Sequence, residues 1–511
     1  MHVGDWVRKW SQIKPGKRAI IEDGREFSYQ QLNERCNQVG NFLLEKGVAK
    51  GDRIAILAYN SHEFVEIYLA AAKTGAIFVP LNWRMARDEI LEILNDCSPR
   101  FFFFSEDFSD DIRVIKDSTE TIKFFITIGT EEASWFLPYG RLKGYSSREP
   151  IPPKSIQFND PHILLYTSGT TGTPKGALLS NSKTFFNALN ANIFFNLIPN
   201  DIFLVTRPLF HSGGLLIDVT PTLYKGGTII LKRRFSTQEF LETIEKYRIT
   251  IAEPPATFLN FILNDCDLQQ YDLKSLKCIY TGGERVQPTL LSEYHKRHIP
   301  LGQIFGMTET SILTWLPIEY AFEKAGSVGK PVFHCDLKIV NRDGSETGPG
   351  ETGEIAVTGP ILMSGYWNRP EQTAEVMRDG WFYTGDLAMT DDEGFIYIVD
   401  RIKDIYISGG ENIHPTEIEK HLLKNPSIFD VAVYGVPHQK WGEVGKASVV
   451  LKHGAKITAE EVVAFLQGKI GKFKIPRYIE FVDDLPRTPT GKIMRYILAK
   501  RFRTTEKEIK I

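Results

Sequence analysis

Apolar residues along this chain recur with two alternating periods. Leu32, Cys36, Val39 and Leu43 fall at helical spacing behind Ser28-Tyr29-Gln30-Gln31. A serine followed three residues later by glutamine is a capping box, so a helix is predicted to start there and to stop at Gly47. Residues 52–57 then read as a strand, Ser61 opens a helix running to Gly75, and residues 76–81 are a strand again. The runs Phe101–Phe104 and Ile163–Tyr166 have no polar alternation, as expected of strands covered on both faces. The pattern resumes with strands at 201–206 and 227–232, a helix at 237–247, and buried strands at 249–253, 278–281 and 301–305. Strand, helix, strand with short glycine-marked joints predicts an α/β fold with a largely parallel sheet.

From about Val332 the texture changes to shorter strands and many turns, such as Asn341-Arg342-Asp343-Gly344, which predicts a small β subdomain. A boundary is expected at Asp400–Lys403. Beyond it lies a small α+β unit, with helices at 417–423 and after Thr458, and strands at 431–436, 447–451 and 478–482. The expected organisation is therefore a large domain over residues 1–400, a joint at 401–403, and a small domain over 404–511.

Composition narrows the function classes. The 511 residues are 42% hydrophobic and 24% charged with a net charge of −2, so no basic face points to nucleic acid. Five scattered cysteines, Cys36, Cys97, Cys266, Cys278 and Cys335, show no CxxC spacing and fit reduced thiols. The N-terminus lacks a signal-peptide layout, and no apolar run reaches the ~20 residues of a membrane span. A cytoplasmic protein, monomeric or homodimeric, with at most peripheral membrane contact, is expected.

The chemistry concentrates in Tyr166-Thr167-Ser168-Gly169-Thr170-Thr171-Gly172-Thr173-Pro174-Lys175-Gly176, directly behind a strand. Glycines let backbone N–H groups approach an anion, the hydroxyls donate to phosphate oxygens, and Lys175 counters their charge. Gly176 follows the lysine where a Walker A motif needs Ser or Thr, so this is a different phosphate grip. Gln303-Ile304-Phe305-Gly306-Met307-Thr308-Glu309 also follows a strand, where open α/β sheets bind ligands. Phe305 can stack on a base, and Glu309 offers Mg2+ a hard oxygen. Tyr280-Thr281-Gly282-Gly283-Glu284 is a further glycine turn, and Tyr383-Thr384-Gly385-Asp386-Leu387 places a carboxylate on a turn. Taken singly, each also fits an ordinary turn.

Together these segments resemble, in order, the motifs of the adenylate-forming superfamily, which includes acyl-CoA synthetases, adenylation domains of peptide synthetases and luciferases. The resemblance covers roughly residues 15–500 and departs at Phe305, where the family usually has Tyr. It implies that Thr167, Ser168, Gly169, Thr170, Thr171, Gly172 and Lys175 grip ATP phosphates. Gly282, Gly283, Glu284 and Gln303–Thr308 would border adenine. Asp386 would grip the ribose with Arg401, and Ile398 would pack on the base. Lys403 becomes a hinge. Lys492, in Pro486-Arg487-Thr488-Pro489-Thr490-Gly491-Lys492, becomes the adenylation lysine, a mobile cation between carboxylate and phosphate. His211 would front the acyl pocket, and Ser408, Gly409, Gly410, Trp441, Phe473 and Lys474 would meet coenzyme A. Mg2+ would sit on Glu309, with Thr167 as a second ligand.

The implied activity is an ATP-dependent, AMP-forming acyl-CoA synthetase. Apolar segments around the pocket favour a fatty acid, with an aryl acid or a carrier-protein acceptor as alternatives. A non-catalytic nucleotide-binding protein remains a rival reading.

Overall fold

The structure, a computed structural model, describes all residues except 1, 132, 168–173, 285, 409–410, 439–440, 468, 489–490 and 506–511. The chain divides into two compact units, Met1–Asp336 with Thr358–Phe382, and Leu337–Val357 with Tyr383–Ile511.

The first unit holds two mixed sheets with parallel cores. One runs Gly365–Tyr366, Lys175–Ser180, Pro161–Thr167, Ile77–Pro80, Arg53–Leu57, Phe101–Ser105, Phe124–Ile128 and Leu137–Pro138. Phe101–Phe104 pairs in parallel on both sides, and all four rings are fully buried. That is why the run carries no polar residue: each face of the strand meets packed side chains. Ser28 caps helix Tyr29–Glu45 in a capping box, and Ser61 caps helix His62–Thr74, which ends on Gly75 at φ +77°. Left-handed backbone at a helix end is cheapest for glycine.

The other sheet carries the parallel strands Leu301–Met307, Cys278–Thr281, Ile251–Ala252, Ile202–Val205, Thr228–Leu231 and Arg18–Glu22 in that spatial order. The chain passes from Ile202–Val205 to its neighbour Thr228–Leu231, then returns to Ile251–Ala252 on the opposite side. The winding direction therefore reverses between Ile202–Val205 and Ile251–Ala252. In open α/β sheets ligands bind outside the carboxyl ends of strands at such a reversal. Ser311–Leu316 then folds back antiparallel on Leu301–Met307.

The second unit contains the strand Trp381–Thr390 from Tyr383 onward, its partner Ile396–Arg401, and a sheet of Glu411–Ile413, Tyr406–Ser408, Gly442–Leu451, Ile428–His438 and Tyr478–Phe481. Helices Pro415–Leu422 and Ala459–Leu466 contribute to its core through Ile418, Leu422, Val462 and Leu466.

Three expectations change. The strand at 249–253 shortens to Ile251–Ala252, and Pro254 and Pro255 keep it from extending at its C-terminal end. Gln303–Met307 belongs to the strand itself rather than following it. Asp386 lies within the strand Trp381–Thr390, not on a turn, because neighbouring strand Ile396–Arg401 pairs with it. Replacing Ser28 with Ala should lower unfolding stability by about 1 kcal/mol in a denaturant titration while leaving catalysis unchanged.

Candidate active site

In the first unit, strands Pro161–Thr167 and Lys175–Ser180 pair up to Thr167 opposite Lys175. The Thr167 hydroxyl donates to the Lys175 carbonyl at 3.4 Å. Ser168, Gly169, Thr170, Thr171 and Gly172, expected to grip phosphate, lie outside the described residues. The Lys175 ammonium lies 5.5 Å from the centre of the Tyr366 ring. The Tyr366 hydroxyl donates to Glu309 Oε1 at 2.7 Å, fixing a carboxylate that is only 6% exposed. Lys175, Tyr366 and Glu309 thus form one chain of contacts.

The hairpin carrying Glu309 leaves no room for side chains at its glycines. A Cβ on Gly306 would come 1.8 Å from the Ser311 carbonyl oxygen, and one on Gly282 would come 2.1 Å from that of Ile304. Ser311 adopts φ +61° and accepts a bond from the Lys183 ammonium at 2.5 Å. Lys183 is fully buried, and burial pulls its pKa down to about 7 against the opposing pull of Glu309. Gln303 is buried, and among the described residues its Oε1 has no hydrogen-bond partner, which suits a site that receives a polar ligand. Ile304 is buried beside it, and Phe305, Met307 and Thr308 are half-buried. Gly283 has φ +78°, and Glu284 accepts from the backbone N–H and hydroxyl of Thr257 at 2.8 and 2.9 Å.

His211 follows strand Ile202–Val205, and its ring packs against Phe210 with centroids 5.1 Å apart. Burial, reinforced by Arg207 and Arg84, pushes its pKa down to about 3, so the imidazole is neutral at physiological pH.

In the second unit, Asp386 and Arg401 face each other across neighbouring strands. Arg401 Nε donates to Asp386 Oδ1 at 2.6 Å, and Asp386 is 2% exposed. Lys492 feels this pair together with Asp404 and Arg495, and desolvation followed by the Arg401 charge pulls its pKa down to about 8. Its backbone is pinned by Lys492 N to Thr488 Oγ1 at 3.1 Å and Thr488 N to Lys492 O at 2.7 Å. Ile398 is half-buried on the strand that carries Arg401. Lys403 is exposed in the turn that follows.

Ser408 registers opposite Gly442, which brings it beside Trp441, 37% exposed. Phe473 is 53% exposed, whereas the Lys474 ammonium pairs with Glu417 at 2.7 Å. Gly409 and Gly410 lie outside the described residues.

Sequence reasoning did not find Tyr366, Lys183 or Arg207. Tyr366 is distant from Glu309 in the chain, and Lys183 sits inside an otherwise unremarked helix, Asn181–Phe194. Arg207 stands beside a proline in an apolar stretch, where only the fold reveals its partners.

The fold and these two clusters define an adenylate-forming enzyme. The profile described as AMP-binding enzyme matches residues 7–367, and that described as AMP-binding enzyme C-terminal domain matches residues 417–492. The chain belongs to this family, and it is an AMP-forming acid–thiol ligase that uses ATP and CoA. It is 38% identical over 496 residues to an indoleacetate–CoA ligase of Aromatoleum aromaticum, covering 97% of each chain. It is 32% identical over 510 residues to a long-chain-fatty-acid–CoA ligase of Mycobacterium tuberculosis, covering 99% of each. Among solved structures, ATP-bound MatB from Rhodopseudomonas palustris superposes with a TM-score of 0.90 at 29% identity, over 98% of this chain and 99% of that one. Relatives of both aryl and fatty-acid type exist, and the aryl type fits at least as well. Among the described residues no helix is long and apolar enough to cross a membrane.

Tyr366→Phe removes the donor on Glu309 and should raise KM for ATP about tenfold with a smaller change in kcat, read by pyrophosphate release. Lys492 must be protonated to act as a cation. Because its pKa lies near 8, kcat/KM for adenylate formation should fall as pH rises through that value, and Lys492→Arg should retain its residual rate to higher pH.

Proposed function

We propose that this enzyme activates an aryl carboxylic acid and transfers it to CoA, with the Asp386–Arg401–Lys492 cluster as the observation that carries the adenylation step. A carboxylate approaching ATP meets like charge. Lys492 supplies the opposing cation, and its desolvation makes that charge act at full strength. A carboxylate oxygen attacks the α-phosphorus, the bond from that phosphorus to the β-bridging oxygen breaks, and pyrophosphate leaves with the electron pair.

The 167–175 segment holds the β- and γ-phosphates, while Asp386 accepts from the ribose hydroxyls with Arg401 holding it in place. Gln303 and the turn at Gly282–Gly283, Glu284 included, border the adenine with Ile304, Phe305, Gly306, Met307 and Thr308, and Ile398 packs on the base. Glu309 offers a buried, oriented oxygen of the hard type Mg2+ prefers, and Thr167 a hydroxyl; such an ion would offset phosphate charge. Neutral His211 fronts the acyl pocket.

In the second half-reaction the CoA thiol attacks the acyl carbon, AMP leaves, and the thiol proton passes to solvent. Ser408, Trp441 and Phe473 are assigned to CoA, together with Gly409, Gly410 and Lys474, and a pivot at Lys403 would let residues 404–511 alternate between the two steps. The aryl assignment is supported by the 38% identity to an indoleacetate ligase, against 32% to a fatty-acid ligase.

Lys492→Ala should abolish acyl-AMP formation by ~10³-fold or more yet still convert supplied acyl-AMP to thioester. Equal loss in both half-reactions would overturn the assignment of Lys492. A ligation screen across aryl, medium-chain and long-chain acids should show its highest kcat/KM with an aryl acid.

A further inference from the structure

The winding reversal of the second sheet is bridged by an ion pair that the adenylation chemistry does not use. Arg207 follows strand Ile202–Val205 and Glu253 follows strand Ile251–Ala252, so they stand at the carboxyl ends of the two strands that flank the reversal. Arg207 pairs with the Glu253 carboxylate through Nε and donates from Nη2 to the Gly282 carbonyl at 2.7 Å. Both side chains are buried, Arg207 at 5% exposure and Glu253 at 1%.

Asp218 adds a second carboxyl to this neighbourhood. It lies in the π-helix Gly213–Val219, which directly follows the His211-Ser212 step. In a π-helix backbone bonds run from i to i+5, so residues five apart lie about one turn apart. Gly213 is five residues before Asp218, and a Cβ there would come 2.7 Å from Arg207 Cδ. The Gly213–Asp218 face is therefore the one turned to Arg207. Asp218 is fully buried, and among the described residues neither of its carboxyl oxygens has a hydrogen-bond partner. One guanidinium cannot neutralise two carboxyls, and burial, then Glu253, drives the Asp218 pKa far upward. Burial thus favours the protonated form of Asp218, which has one O–H to donate and one C=O to accept.

Buried polar groups without partners are rare and costly, by about 1–3 kcal/mol each, and the native exceptions cluster where a ligand completes them. π-helical turns also concentrate at functional sites. We propose that Asp218 is a specificity-determining residue that hydrogen-bonds a polar N–H or O–H on the distal ring of the acid being activated. The substrate class is then an aryl acid with a ring N–H or hydroxyl rather than a purely hydrocarbon acid. This rests on the aryl reading above. It also explains why a polar group stands among the otherwise apolar side chains Leu215, Leu216, Ile217 and Val219.

The test compares indole-3-acetate with benzothiophene-3-acetate, in which sulfur replaces the N–H at nearly constant shape. The full-length wild type should favour the indole acid at least about tenfold in kcat/KM, the discrimination that an unmade buried hydrogen bond imposes. Asp218→Leu should bring the two acids within about twofold, through loss on the indole acid only, while the KM for ATP stays unchanged. Asp218→Asn, whose amide still accepts an N–H, should keep most of the preference. Equal turnover of the two acids by the wild type overturns the proposal, as does an unchanged preference in Asp218→Leu. If Asp218→Leu does not fold, the wild-type ratio and Asp218→Asn decide. Turnover of fatty acids with no aryl acid accepted would instead sink the aryl reading itself, a result distinct from aryl turnover without discrimination.

Discussion

Desolvated charge, and what each desolvated charge is tied to, is the constraint on which this enzyme depends. Glu309 is held by the Tyr366 hydroxyl, Asp386 by Arg401, and Glu253 by Arg207. Removing a charge from water costs several kcal/mol unless a partner offsets it. Each pairing therefore fixes a buried carboxylate in place. Lys492 is the counterpart. Its pKa near 8 keeps it mostly charged at neutral pH while recording that it has left bulk water.

The backbone makes these pairings possible. Parallel strands end in register, so residues that follow them gather along one edge of the sheet. Arg207, Glu253, Gly282 and Met307 follow or end four such strands although they are far apart in the chain. Glycine is required at Gly306 and Gly282 because backbone carbonyls approach to within 1.8 and 2.1 Å of where a Cβ would stand. The same closeness explains why the Glu309 hairpin is stiff: Gly306 and Ser311 are packed backbone to backbone, and Lys183 ties Ser311 from behind.

Much of the fold was legible because local rules and tertiary packing agree. The capping box at Ser28, the Ser61–Gly75 helix and the helix Thr237–Tyr247 appear as the pattern predicts. Disagreement arises where tertiary pairing overrides turn chemistry. Gly385-Asp386 looks like a turn, yet the partner strand Ile396–Arg401 extends it. The π-helix Gly213–Val219 was not legible at all. Its Gly213-Gly214 pair reads as a loop, and only the closeness of Gly214 to the Pro208 carbonyl, 2.6 Å from a would-be Cβ, shows why a helix must pass there with no side chain.

By itself the sequence determined the α/β alternation, the buried strands and the family, since hydrophobic period, cap residues and short motifs are local properties. The motifs named Lys492, Glu309, Asp386 and Arg401 without showing what holds them. Only the tertiary structure decided that Tyr366 anchors Glu309, that Lys183 ties Ser311, and that Arg207 links Glu253 to the Gly282 turn. Those partners lie tens to more than a hundred residues apart, and a hydrogen bond at 2.5–2.7 Å depends on positions in space that no local pattern encodes.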